Sequence, residues 1–293
     1  MRLVVLFSFL LQSCLLHSQD YIDLFSAQYQ NTNDNRYKNE SYSTKVQELA
    51  VNITLPVKVS EKVALISGFS YDNTKLNYKE AQGKIDLQGY TFRTGVNIKH
   101  NEKLSGTYVV IPKWAIGIKE KGKSNFQLGG AAIWKYKKSE HFKYVLGLYY
   151  NEEFFGPFTT PLFGFYYKKG KLEADVMLPA ITDVNYAIAK KSTLGFHFRS
   201  IAKSYNLATG LINNTNEYIV QSSNEPSLYI GKKLFKNIIL KAHIGHSIGR
   251  SYRIYNSDEK MKLGLSAFRI GDKRTKLNND FNNGFFFKLN MAY

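Results

Sequence analysis

Leu49, Val51, Ile53, Leu55, Val57 and Val59 alternate with Ala50, Asn52, Thr54, Pro56 and Lys58. A period of two belongs to a strand whose faces meet different surroundings. The pattern returns over Leu104 to Ile118 and in Phe142-Tyr144-Leu146-Leu148-Tyr150, Leu172-Ala174-Val176-Leu178 and Ile238-Leu240-Ala242-Ile244. It is cleanest at the end of the chain, where Phe285, Phe287, Leu289, Met291 and Tyr293 form one face and Phe286, Lys288, Asn290 and Ala292 the other. Helical periodicity is hard to find. Several runs are longer than the roughly 5 to 6 residues of a globular strand and reach the roughly 9 to 11 that a tilted strand needs to cross a bilayer.

The pattern predicts strands at 21–30, 46–59, 63–71, 85–99, 104–118, 126–136, 141–151, 161–167, 171–178, 183–189, 193–206, 226–234, 238–254 and 284–293. That makes an all-β chain of about fourteen strands, with twelve or sixteen as the bracketing counts. Six connections, such as Ser60-Glu61-Lys62 and Lys190-Lys191-Ser192, are tight, whereas those at 31–45, 72–84, 152–160, 207–225 and 255–283 are long and rich in Asn, Ser, Asp and Tyr. An even number of antiparallel strands, with short turns at one end and long loops at the other, is the wiring of a transmembrane β-barrel. Pro56 and Pro112 fall inside predicted strands, where the missing N–H breaks the ladder unless a bulge absorbs it. Residues 262–270 are assigned to the last loop, folded inward.

Met1-Arg2 followed by an apolar run to Leu11, with a small residue at Ser18, reads as an export signal cleaved after Ser18. The domain plan is then a signal peptide over 1–18 and a barrel over 19–293. Leu11-Gln12-Ser13-Cys14 loosely matches a lipoprotein box, so Cys14, the single cysteine, is either lipidated or an ordinary residue of the signal. A mean hydropathy of -0.31 excludes a polytopic helical membrane protein.

The export signal, the aromatic-edged strands, the Leu178-Pro179 break after a basic turn and the run Phe285 to Tyr293 together resemble outer-membrane β-barrels of Bacteroidetes, specifically a family of unknown function there. The resemblance implies a β-barrel in the outer membrane of a Gram-negative bacterium, with membrane lipid and lipopolysaccharide as surroundings. It transfers no catalytic residue. The terminal face of Phe285, Phe287, Leu289, Met291 and Tyr293 also resembles the signal by which the barrel-assembly machinery recognises its clients.

Lys+Arg number 40 against 23 Asp+Glu, a formal charge of +17. Export and the lack of a recognisable module exclude nucleic acid as the partner. Many lysines sit in the tight turns, beside anionic headgroups. Assigning the apolar face of each strand to lipid turns Lys58, Arg93, Lys99, Lys113, Lys135, Lys143, Arg199, Lys203, Lys241 and Lys288 inward, against only Glu48, Glu173 and Asp175. The core of this basic lining is Arg93, Lys113, Lys135, Arg199, Lys241 and Lys288. Such a lumen favours small anionic solutes.

Catalytic signals are weak. His243 and Ser247 share a face but lie about 13 Å apart at 3.3 Å per residue, and His246 and Ser247 point oppositely. Only a cross-strand partner such as Ser227 brings a hydroxyl to His243. Glu173 and Asp175 share a polar face, and His100 and His197 have no ligand-spaced companions, so no metal or cofactor is expected. Trp114, Trp134, Tyr136, Phe142 and Tyr150 read as interfacial aromatics. The expected role is a passive pore or small-solute binding protein without a catalytic site. The rivals are a lipid-modifying hydrolase, a structural or adhesive surface barrel, and a soluble secreted barrel.

Overall fold

The computed structural model describes residues 23–32, 35–38, 43–78, 83–117, 125–207, 212, 216–235, 237–265 and 272–293. The proposed signal, with Cys14 and the cleavage point, lies outside them. Among the described residues fourteen strands close into one barrel: β1 (Phe25–Thr32), β2 (Val46–Lys58), β3 (Val63–Tyr78), β4 (Gly83–Lys99), β5 (Leu104–Gly117), β6 (Phe126–Lys137), β7 (Phe142–Glu153), β8 (Gly156–Lys169), β9 (Leu172–Leu178), β10 (Ile181–Ala189), β11 (Ser192–Leu207), β12 (Glu217–Lys233), β13 (Ile239–Asn256) and β14 (Gly284–Ala292). Each is antiparallel to its neighbours, and β14 pairs with β1 from Ser26↔Ala292 to Thr32↔Phe286, which removes both free edges.

Short polar side chains set the tight turns. Asn101 Oδ1 accepts the N–H groups of Lys103 and Leu104, Ser60 Oγ accepts those of Lys62 and Val63, and Gly170 takes φ 60° where a side chain would be strained. Register, once pinned at these turns, decides which residues face in, because a slip of one would invert a whole strand. Pro112 needs no bulge: Thr91↔Lys113 and Thr94↔Val110 flank it in one unbroken register. Register shifts lie elsewhere, between Ala187 and Ala189 on β10 and in β13, where Gly249 at φ 67° absorbs a shift between Ser222↔Ser251 and Asn224↔Ile248.

The outer surface is apolar. Leu146, Leu148, Phe163, Leu194, Leu228, Ile244 and Leu289 are all exposed on it. Aromatic side chains bound this belt, with Phe69, Phe92, Trp114 and Phe126 in edge and tilted contacts toward one end and Tyr108, Trp134, Phe142 and Tyr144 toward the other. Phe126 and Tyr136 stand ten residues apart on β6, about 33 Å along the strand and about 25 Å after a 40° tilt, the height of an apolar band in such barrels.

Three predicted loops are too long. Residues 72–78 continue β3, 152–160 contain only the two-residue turn Phe154-Phe155, and β12 begins at Glu217. At the long-loop end β11, still paired with β12 as far as Leu207↔Glu217, also pairs in parallel with β5 of the opposite wall through Asn206↔Ile116 and Leu207↔Gly117. β11–β14 and β1–β5 then enclose a dry core containing Tyr37, Val46, Leu76, Ile85, Tyr205 and Ile254. Both faces of these strand ends are buried, so the alternation that marks a strand in lipid is absent there. Of the segment 262–270, Gly264–Leu265 pairs in parallel with Phe158–Thr159 of β8, and 266–270 lie outside the described residues.

Candidate functional site

What the dry core leaves open is a cavity of about 1530 Å³, reaching from the turn Lys190-Lys191 at the short-turn end to Phe155 and Arg274 at the other. Arg93, Lys113, Lys135, Arg199, Lys241 and Lys288 all border it. Among the described residues its lining includes twelve lysines and arginines and six carboxylates.

Ten cations against three anions nevertheless overstates the bias of the interior. Asp72, Glu153, Asp183 and Glu225 also point inward. Asp72, Glu153 and Glu225 lie in strand ends that the pattern reads as loop, and Asp183 takes the lumenal parity of its cross-strand partner His197. Each carboxylate meets a base. Arg199 donates to Glu48 at 3.1 Å and Glu225 at 2.8 Å, Arg250 approaches Glu225 at 3.5 Å, Lys113 lies 3.5 Å from Glu153, Lys203 3.0 Å from Asp72 and Lys241 3.2 Å from Asp183. Buried polar groups need such partners, so much of the basic lining is held in place by charge neutralisation. Arg93 instead donates to Ser70 Oγ at 2.7 Å.

β10 to β14 supply a second cluster. Ser227 Oγ lies 3.3 Å from His243 Nδ1, His197 Nδ1 lies 3.4 Å from Asp183, and Tyr229 donates to Asp183 at 2.6 Å. Ser227 is thus the cross-strand partner that geometry demands for His243. Ser247 instead donates to the Gly284 carbonyl, and His246 meets Phe285 edge to face on the outside. Glu173 is taken up by Tyr166 and Lys168. No group of three metal-ligating side chains occurs among the described residues. Phe285, Phe287, Leu289 and Met291 lie exposed on the outer face of β14, and Tyr293 accepts the Leu24 N–H beside β1.

At the long-loop end Met261, Gly264 and Arg274, from the described residues after β13, border the cavity. Met261 donates to the Phe155 carbonyl at 2.7 Å, and Arg274 lies 4.2 Å over the Tyr255 ring while binding Asp272 through two nitrogens. That bidentate grip holds the Asp272 carboxyl below the usual carboxylate range, and hydrogen bonds from Arg253 and Lys276 outweigh burial to do the same for Asp280. Folded values below the unfolded ones mean stabilisation that is complete above about pH 4 and lost as pH falls through the folded values. Protease cleavage within 257–283 is therefore expected to stay slow from pH 7 to about pH 4 and to rise at lower pH. Cleavage no faster below pH 4 than above it, measured with an acid-tolerant protease, would contradict this role of Asp272 and Asp280.

Fold and cavity together define a fourteen-stranded barrel with a charged, partly partitioned lumen. The chain belongs to the family described as Domain of unknown function (DUF6268), which matches residues 16–293. No curated protein matches it. Among solved structures it is similar to an outer membrane channel from Pseudomonas putida F1, with 9% identity over 95% of this chain and 97% of that one and a TM-score of 0.48. It is also similar to a FadL homologue of Pseudomonas aeruginosa, with 9% identity over 93% and 91% of the two chains and a TM-score of 0.44. The translocator domain of the autotransporter NalP from Neisseria meningitidis shares 7% identity over 94% and 90%, with a TM-score of 0.38.

Proposed function

We propose that this protein spans the outer membrane of a Gram-negative bacterium and binds or passes small anionic solutes, with no covalent chemistry of its own. The observation that carries the reading is the cavity of about 1530 Å³ whose described lining holds twice as many basic as acidic side chains. That volume exceeds the roughly 300–1,000 Å³ of an ordinary ligand pocket, and low-dielectric walls focus the surplus positive charge along it. The apolar belt between two aromatic girdles supports the membrane setting. Ser227 is not poised as a nucleophile, since its proton is directed to the His197 carbonyl at 3.3 Å.

Arg93 and Lys135 border the cavity, and their replacement by glutamate leaves the Arg199, Arg250 and Glu225 network intact. Arg93→Glu with Lys135→Glu is expected to lower or reverse the anion preference of the barrel in a planar bilayer, with the largest change at low salt. Selectivity identical to that of the parent protein would mean that ions do not pass these side chains.

A further inference from the structure

The ladder from β10 to β14 builds one polar strip on the cavity wall. Asp183 stands opposite His197, His197 opposite Ser227, Tyr229 opposite His243, and His243 opposite Lys288. Cross-strand partners in register have Cα atoms about 4.5 to 5.5 Å apart, so the side chains of His243 and Lys288 leave the wall next to one another. Both border the cavity.

Ser227 fixes how His243 presents itself. Its Oγ lies 3.3 Å from the His197 carbonyl oxygen and 3.3 Å from His243 Nδ1. A hydroxyl carries one proton and a carbonyl oxygen only accepts, so both contacts are hydrogen bonds only when Ser227 donates to His197 and accepts from His243 Nδ1–H. The ring is then the tautomer with its lone pair on Nε2. That Nε2 is buried and has no hydrogen-bond partner among the described residues. Tyr229 holds the ring from one side, 4.8 Å away centroid to centroid, while its own hydroxyl is committed to Asp183. Near Lys288 the carboxylates whose charge reaches it, Glu48 and Glu225, are engaged by Arg199 and Arg250.

A buried acceptor without a donor, next to an ammonium, has a defined complement: a ligand with an O–H beside an O⁻. We propose that His243 Nε2 and Lys288 Nζ form a subsite for a hydroxylated oxyanion, the hydroxyl donating to the imidazole and the anionic oxygen meeting the ammonium. A 2-hydroxy carboxylate and a hydrogen phosphate share this chemistry. The subsite rests on the reading of the cavity as a compartment for acidic solutes and narrows it to a class. Ser227 acts through His243 as a positioning residue.

The test is calorimetric binding of lactate and of propionate, which differ by the hydroxyl, to the full-length barrel in detergent. Lactate is expected to bind about tenfold more tightly, the value of one additional hydrogen bond to a buried acceptor. Lys288→Gln should weaken both ligands, whereas His243→Leu should equalise them. Ser227→Ala, which fits the same space and frees the tautomer, should reduce the preference while leaving propionate affinity unchanged; it serves also if His243→Leu fails to fold. Inorganic phosphate that displaces lactate supports the wider class, and lactate bound without displacement by phosphate supports the hydroxy carboxylate alone. Equal affinity for lactate and propionate, no binding of either, or a preference that survives in folded His243→Leu overturns the subsite. Binding in detergent needs no conduction, so an anion-selective barrel without lactate preference would lose the subsite and keep the pathway.

Discussion

Glu225→Ala is expected to destabilise the barrel by about 3–5 kcal/mol, the range for removing one partner of a buried ion pair. Glu225 is fully buried and accepts from Arg199, Arg250 and Gln30, which come from β11, β13 and β1. Its loss leaves Arg250, itself 2% exposed, hydrogen-bonded to Asn35 with no carboxylate beside it, and leaves Arg199 on Glu48. The cost comes chiefly from the guanidinium charges left behind, so Glu225→Gln, which keeps volume and acceptor, should recover part of it. The temperature at which unboiled protein loses its compact, fast-migrating form on a detergent gel reads the effect. An unchanged transition in Glu225→Ala would mean that this network contributes nothing to the fold.

Leu148→Arg should cost about 2–4 kcal/mol in a bilayer, as for arginine near the midplane on the lipid face of a barrel. Leu148 is exposed, pairs with Ala132 of β6 and Pro161 of β8, and lies between the outward rings of Tyr144 and Tyr150 on its own strand. On a water-facing surface the same change falls within about 0.5 kcal/mol of neutral. The comparison therefore separates a membrane barrel from a soluble one without reference to transport. Equal stability of the parent and the variant in lipid vesicles would remove the membrane setting.

What was legible in the sequence is the part of each strand where lipid and lumen impose opposite demands. Leu146 and Leu148, Leu240 and Ile244, and Phe285 to Met291 alternate for that reason, and the inward parity of Lys241 and Lys288 follows from it. The contrast vanishes where both faces are buried. Tyr218 and Ile219 are neighbours on β12, one stacked on Tyr255 and the other in the dry core, so residues 217–225 look like loop. With them the sequence reading lost Glu225, and for the same reason Asp72 and Glu153, the anions that hold the basic lining. The pairing of the β11 end with β5 has no local signature either, because it joins Asn206 to Ile116, which are far apart in the chain. Ser227 beside His243 depends on the β12–β13 register, which residue types do not encode singly.

Reversal potential across a salt gradient, measured on the refolded parent barrel in a planar bilayer, tests the central claim most directly. A cavity with twice as many basic as acidic lining groups predicts a potential of the sign for anion permeation, decaying as salt rises and the Debye length falls to about 3 Å near 1 M. Cation selectivity, or no conductance from a barrel shown to be inserted and folded, would contradict it.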